Sequence, residues 1–291
     1  MRSFRFLLSR RWFLFAIVVA LSAYACVLLG DWQFGRLDGR RTNNDIVRAN
    51  ENATPVAANA VMTPGGTVAS RDQWKQIKVT GTYDTAHTVV WRYLTNDRSE
   101  SGIDVIVPLV TPTGVVLVDR GWVSSNDSIT LPTPAPVVPR GTVTVVGWLR
   151  QDATTADEID TSSGRPSTRA LSSLAVAKTM GSDWKQPVLG GFLDLRTENG
   201  KPAPGMTRED LPSLDDGPHF FYGLQWWFFG GLALFGFGYL AWEERRTSID
   251  PEFAETMAAR RRAYLERNQK KRAVKAAYQA AYDSEKAGRT D

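Results

Sequence analysis

The side chains best able to hold a metal or move a proton are few. The chain has two histidines, His87 and His219, and a single cysteine, Cys26. A hydrolytic site needs an imidazole supported by an acid and aimed at a nucleophile, and no G-x-S-x-G stands in the sequence. H-E-x-x-H, C-x-x-C, P-loop and G-x-G-x-x-G patterns are absent too. No group of His, Cys or carboxylate residues has metal-ligand spacing, and one cysteine allows no intrachain disulfide. The residues give no positive support for an enzyme. The distinctive feature is where polar groups interrupt apolar sequence. Trp32, Gln33 and Arg36 follow one long apolar run in close order, and His219 precedes another. His87, among β-branched and aromatic residues, reads as an ordinary strand residue.

Those polar groups need elements to position them, and the two apolar runs are the first candidates. Trp12–Gly30 is free of charge and as a helix spans roughly 28 Å, close to the hydrocarbon thickness of a bilayer. Phe220–Trp242 is longer, and both runs carry aromatics near their ends, where rings favour the membrane interface. Ala23-Tyr24-Ala25 has the small-x-small pattern of a signal-peptide cleavage site. The apolar run continues beyond it through Val27–Gly30, so the segment reads as an uncleaved anchor. Of 35 basic residues, 4 precede the first run and 12 follow the second, which leaves 19 between them against 22 acids. Arg2, Arg5, Arg10 and Arg11 on one side, and Arg245, Arg246 and a basic tail on the other, put both termini inside by the positive-inside rule. The expected organisation is a basic cytoplasmic N-terminus (1–11), a transmembrane helix (12–30), an extracytoplasmic region (31–218), a second transmembrane helix (219–242) and a basic helical cytoplasmic tail (243–291). The protein would thus be multi-pass in the cell membrane. The basic pI needs no nucleic acid to explain it.

Between the spans, a polar stretch over roughly 41–72 leads into short strands. Trp74–Tyr83 alternates, with Gly81 as a bend; His87–Leu94, Gly102–Thr111, Val115–Val123 and Gly141–Arg150 follow, bounded by Pro and Gly. Strands at this spacing predict a mainly β domain, a small antiparallel barrel or sandwich. Residues 151–167 read as a loop. Ser167–Gly181 has a helical pattern capped by Ser167 or Thr168, and Pro187–Thr197 reads as a last strand. Pro218 is placed for the first turn of the second membrane helix. The tail has two readings: a solvated helix touching anionic lipid, or a docking element for a partner complex.

Three local patterns occur in order: LGDWQFGR after the first run, VLVDRGWV at a strand end, and HFFYGLQWWFF opening the second run. On a chain with this topology they resemble the Surfeit locus family of cytochrome c oxidase assembly factors. The matching positions are Gly30, Trp32, Gln33 and Arg36; then Arg120, Gly121, Trp122 and Val123; then His219, Tyr222, Gln225 and Trp226. Gly81–Tyr83 and Gly147–Arg150 also fit. The resemblance covers about residues 12–242. It departs at Gly223, where the family often has Ala, and in a tail longer than the family leads one to expect.

The resemblance implies a membrane assembly factor, not an enzyme. Such a factor assists delivery of haem A to the catalytic subunit of the oxidase or to its assembly intermediates, with the haem A synthesis machinery as a further partner. Transient haem A would be the cofactor, and His219 its iron ligand. Tyr222 and Trp226 share the face of His219 and could cover a porphyrin. Arg36 could meet a carboxylate, a lipid phosphate or a haem propionate. The plainer readings stand beside these: His219, Tyr222 and Trp226 as interfacial anchors, and Arg120, Gly121 and Trp122 as a barrel corner. Trp32, Gln33 and Gln225 are the remaining motif positions. The alternative function is a stable accessory subunit of the respiratory oxidase that binds no haem.

Overall fold

A computed structural model describes residues 6–287 except 156, 157, 163 and 209. Arg2 and Arg5 of the basic N-terminus lie outside the described residues. The chain divides into two compact units, residues 1–37 with 217–291, and residues 38–216.

The first unit is helical. Helix α1 spans Arg10–Asn50 and α3 spans His219–Ile249. Both contain stretches long and apolar enough to cross a membrane. They pack through small residues. A Cβ added at Gly30 would lie 2.3 Å from the Trp227 ring, one at Gly223 would lie 2.9 Å from Phe34, and one at Gly230 would lie 3.2 Å from Cys26. Small residues let apolar helices approach closely where lipid offers no hydrophobic drive for association. Phe34 and Trp227 fill the seam, with ring centroids 4.9 Å apart. Helix α4 spans Pro251–Ala287.

The second unit is built on strands β1 (Val56–Ala57), β2 (Gln76–Tyr83), β3 (Val89–Thr95), β4 (Ser101–Val110), β5 (Val115–Ser124), β6 (Thr142–Arg150), β7 (Ser167–Thr168) and β8 (Val188–Glu198), with helix α2 (Ser173–Met180). The sheet order is β1-β2-β6-β8-β5-β4-β3-β7. A further pairing of Thr82 and Tyr83 with Val110 and Leu109 closes β2, β6, β8, β5 and β4 into a five-stranded barrel. Closure removes sheet edges. The inward set follows from period-two alternation. Ile77, Val79 and Tyr83 of β2, Val105, Val107 and Leu109 of β4, and Val116 and Val118 of β5 form the interior with Leu193 and Leu195. The outer faces of β4, β5 and β8 present Ile106, Leu117 and Phe192 to Val176 and Met180 of α2, so these strands are buried on both sides.

Four expectations need correction. The barrel is not wholly antiparallel, because β5 pairs with β8 in parallel. The polar segment from residue 41 is helical as far as Asn50, because α1 continues past its apolar run. Tertiary contacts hold this poorly propensed stretch. Val47 is buried with Trp74 and Trp148. Asn44 donates to the Leu214 carbonyl, and Asn50 to the carbonyls of Arg71 and Gln73. Ser167 and Thr168 do not cap a helix; they pair with β3, and α2 begins later, with the Ser172 hydroxyl accepting from the Ala175 N–H. His87 is no strand residue. It closes a 3-10 turn, where Nδ1 meets Asp84 at 2.7 Å and Nε2 meets Asp183 at 3.0 Å.

Candidate functional site

The polar residues at the ends of the two apolar runs converge in the helical unit. His219 is the first residue of α3, with Pro218 before it, and Gln33 stands on α1 one turn after Gly30. The seam fixed by Gly30, Phe34 and Trp227 sets these side chains at the same level. His219 Nδ1 lies 2.9 Å from Gln33 Oε1. An amide oxygen only accepts, so Nδ1 is the donor in this bond. Nε2 makes no hydrogen bond among the described residues. The half-buried ring thus has Nδ1 held by Gln33 and Nε2 without a protein partner among the described residues.

The neighbouring positions divide between the seam and the free flank. Gly223, Trp227 and Gly230 face α1. Tyr222 is about half exposed. Trp226 is half-buried and meets Phe229 edge-to-face, with centroids 6.1 Å apart. Gln225 is exposed. On α1, Gln33, Arg36 and Arg40 share one side, as spacings of three and four require. They have different partners: Arg40 pairs with Asp215 at 3.2 Å, Gln33 with His219, and exposed Arg36 makes no ion pair or hydrogen bond among the described residues. Trp32 is exposed, as an interfacial ring would be.

The Arg-Gly-Trp motif lies in the barrel unit and is built into its structure. Arg120 continues the inward series of Val116 and Val118, and it is fully buried. A buried charge needs a partner. Nε and Nη2 donate to the two Glu198 oxygens at 2.6 and 3.0 Å, and Nη2 also donates to the Val137 carbonyl at 2.9 Å. Tyr83 donates its hydroxyl to Glu198 at 2.8 Å and lies beneath the guanidinium. Burial and the Glu198 charge push the Tyr83 phenol well above its ordinary pKa. Gly121 has φ +118°, and a Cβ there would lie 2.6 Å from the Thr207 carbonyl oxygen. Trp122 exchanges two backbone hydrogen bonds with Thr207 and covers Gly102. The motif thus ties the barrel wall to the segment around Thr207.

Sequence reasoning did not find the contact between Gln33 and His219, nor the part of Phe34 and Trp227 in aligning it. The available signal was the glycines at 30, 223 and 230, which mark a close helix approach only once two helices are known to pair. Among the described residues, no group of three or more His, Cys, Asp or Glu side chains gathers as a metal site.

The SURF1 family model matches residues 20–231. That range takes in Gln33, Arg36, the barrel and His219, and ends before α4. Uncharacterized SURF1-like proteins of Mycobacterium bovis and Mycobacterium tuberculosis are each 30% identical over 245 residues, covering 83% of this chain and 87% of theirs. The chain belongs to the SURF1 family, a family of assembly factors, not enzymes, that is linked to cytochrome oxidase.

Proposed function

We propose that this protein is a membrane-anchored assembly factor that holds haem A, through His219, while a haem-A-containing cytochrome c oxidase is built. The observation that carries the reading is the bond between Gln33 Oε1 and His219 Nδ1–H at 2.9 Å. Histidines that bind metals commonly donate their second nitrogen to an oxygen acceptor, which fixes the tautomer and raises the basicity of the ligating nitrogen. Interfacial anchoring alone does not require this pairing. The residues present suit a haem with one protein axial ligand: an imidazole held at Nδ1 by Gln33, exposed rings at Phe220 and Tyr222 beside it, and an Arg36 guanidinium that meets no carboxylate among the described residues and could take a propionate. Bound haem would supply the iron, with its redox and axial-ligand chemistry. His219 binds, Gln33 orients, and Arg36 adds charge complementarity.

On this reading α1 and α3 span the cell membrane, both termini are cytoplasmic and residues 31–218 are extracytoplasmic. The partners are the oxidase catalytic subunit or its assembly intermediates, and the machinery that makes haem A. Purification from cells that make haem A tests the function. An assembly factor is recovered in substoichiometric amounts with incomplete oxidase, and its deletion lowers assembled oxidase while haem A synthesis continues. Constant stoichiometry with mature oxidase, or an unchanged oxidase in a deletion strain without a second gene copy, would replace the proposal with an accessory-subunit role.

A further inference from the structure

Helix α4 lies outside the family match and has an exposed face with no partner among the described residues. Its geometry begins at an elbow. Asp250 is extended, at φ −111° and ψ 103°, and separates α3 from α4. Its carboxylate accepts from the Phe253 N–H at 3.1 Å and so caps α4. In a continuous helix, Trp242 and Phe253 would be roughly 16 Å apart along the axis. Their ring centroids are 6.4 Å apart, and the Arg246 guanidinium sits 4.3 Å from the Phe253 ring. The chain therefore turns sharply. Arg261, about 15 Å along α4 by helical rise, lines one cavity with Arg11, Trp12, Leu240 and Glu243. Helix α4 thus crosses beside the ends of the two apolar runs.

One face of α4 interleaves rings with cations, and further cations, Arg261, Arg262, Lys270 and Arg272, lie off that face. Arg260, Tyr264, Arg267, Lys271, Val274 and Tyr278 follow one another at alternating steps of four and three, which places them on one stripe. Tyr264, Val274 and Tyr278 are 65%, 62% and 79% exposed. Of the acids, Glu255 and Glu266 fall off this stripe and Glu252 lies on its flank. The spacing would suit a coiled coil, but a second copy would set Arg260, Arg267 and Lys271 against like charges. Tyrosines interleaved with arginine and lysine instead suit the level of lipid headgroups, where the ring meets the interface and the cation meets phosphate.

We infer that α4 is an interfacial helix whose stripe from Arg260 to Tyr278 binds the anionic lipid surface of the membrane that α1 and α3 cross. The inference rests on the spanning reading given above. It is tested on the full chain in nanodiscs of phosphatidylcholine, with or without phosphatidylglycerol. Cys26→Ser removes the native thiol, and spin labels are placed singly at Tyr278→Cys on the stripe, Ala273→Cys off it, and Leu21→Cys in the first apolar run. With phosphatidylglycerol, the 278 label becomes accessible to oxygen and shielded from a water-soluble nickel complex, while the 273 label stays accessible to nickel. Salt, omission of phosphatidylglycerol, or the combined Arg260→Gln, Arg267→Gln and Lys271→Gln variant returns the 278 label to water, with helicity retained. Equal nickel access at 278 in both lipids overturns the inference. So does shielding of 278 that needs added ribosomes or nucleic acid. Oxygen access at Leu21 shows that only α4 is at issue. A Leu21 label in water overturns the spanning reading, and this inference with it.

Discussion

Replacing Arg120 by Met should cost the barrel about 3–5 kcal/mol, the usual penalty for removing one partner of a buried ion pair. Arg120 is fully buried, and the Glu198 side chain is 4% exposed. Without the guanidinium, the Glu198 carboxylate keeps only the Tyr83 hydroxyl at 2.8 Å, too little to replace water around a charge. Whole-domain stabilities are about 5–15 kcal/mol, so the change removes a large share. Each kcal/mol lowers the midpoint of a domain of this size by roughly 2–4 °C, which gives a fall of about 8–16 °C for a loss near 4 kcal/mol. Hydrogen exchange on the full chain, read at β5 and β8, isolates the barrel from the helical unit. Protection should drop by roughly two to three and a half orders of magnitude, since about 1.4 kcal/mol is tenfold. The combined Arg120→Met, Glu198→Leu and Tyr83→Phe variant removes the charged and hydroxyl side chains of the network, leaving only the Val137 carbonyl to lose its donor, and should recover most of the loss. A drop below tenfold in the single variant would refute the reasoning, because Arg120 would then not be what neutralises Glu198.

Other outcomes follow from the same contacts. Gly30→Val should displace Trp227, separate Gln33 from His219 and lower haem recovery without touching the ligand; unchanged recovery would mean the seam does not align the pair. The Asp84 carboxyl is opposed by burial, yet hydrogen bonds from Trp184 and His87 hold it below the ordinary carboxylate range. Its stabilising contribution is therefore present above about pH 4 and is lost as pH falls through the depressed value. Asp84→Asn should flatten the acid limb of a stability profile, and an unaltered limb would contradict this. A reporter active only outside the cytoplasm should work in the 151–167 loop and fail at the C-terminus; the reverse would invert the topology. Arg36→Gln should lower oxidase assembly while membrane insertion holds, and intact assembly would leave Arg36 with lipid phosphate alone.

The barrel strands were legible because alternation and Pro- or Gly-bounded turns are local signals. Ile77, Val79 and Tyr83 announce an inward face in eight residues of β2. The inward position of Arg120 follows from the same arithmetic, but its partner Glu198 does not, since no local pattern links β5 to the end of β8. The continuation of α1 to Asn50 was hidden because TNNDIVRAN has weak helix propensity and is held by Trp74, Trp148 and the carbonyl of Leu214. Strand β7 was missed because two residues carry no period. The candidate site was half legible. His219, Gln33 and Arg36 stood out by type and place, whereas their pairing depends on the register of two helices that meet through Gly30 and Gly223, which only three-dimensional packing reveals.

The most direct measurement is the absorption spectrum of the protein purified from cells that make haem A, taken for the wild type, His219→Ala and Gln33→Leu at equal membrane yield. The account predicts a haem A spectrum in the wild type and its loss in His219→Ala. In Gln33→Leu it predicts about 10–100-fold weaker haem affinity, the usual effect of removing the group that orients a ligating histidine. A full haem A spectrum in His219→Ala, with the protein inserted normally, would contradict the ligand assignment and leave His219 and Gln33 as a packing pair at the membrane edge.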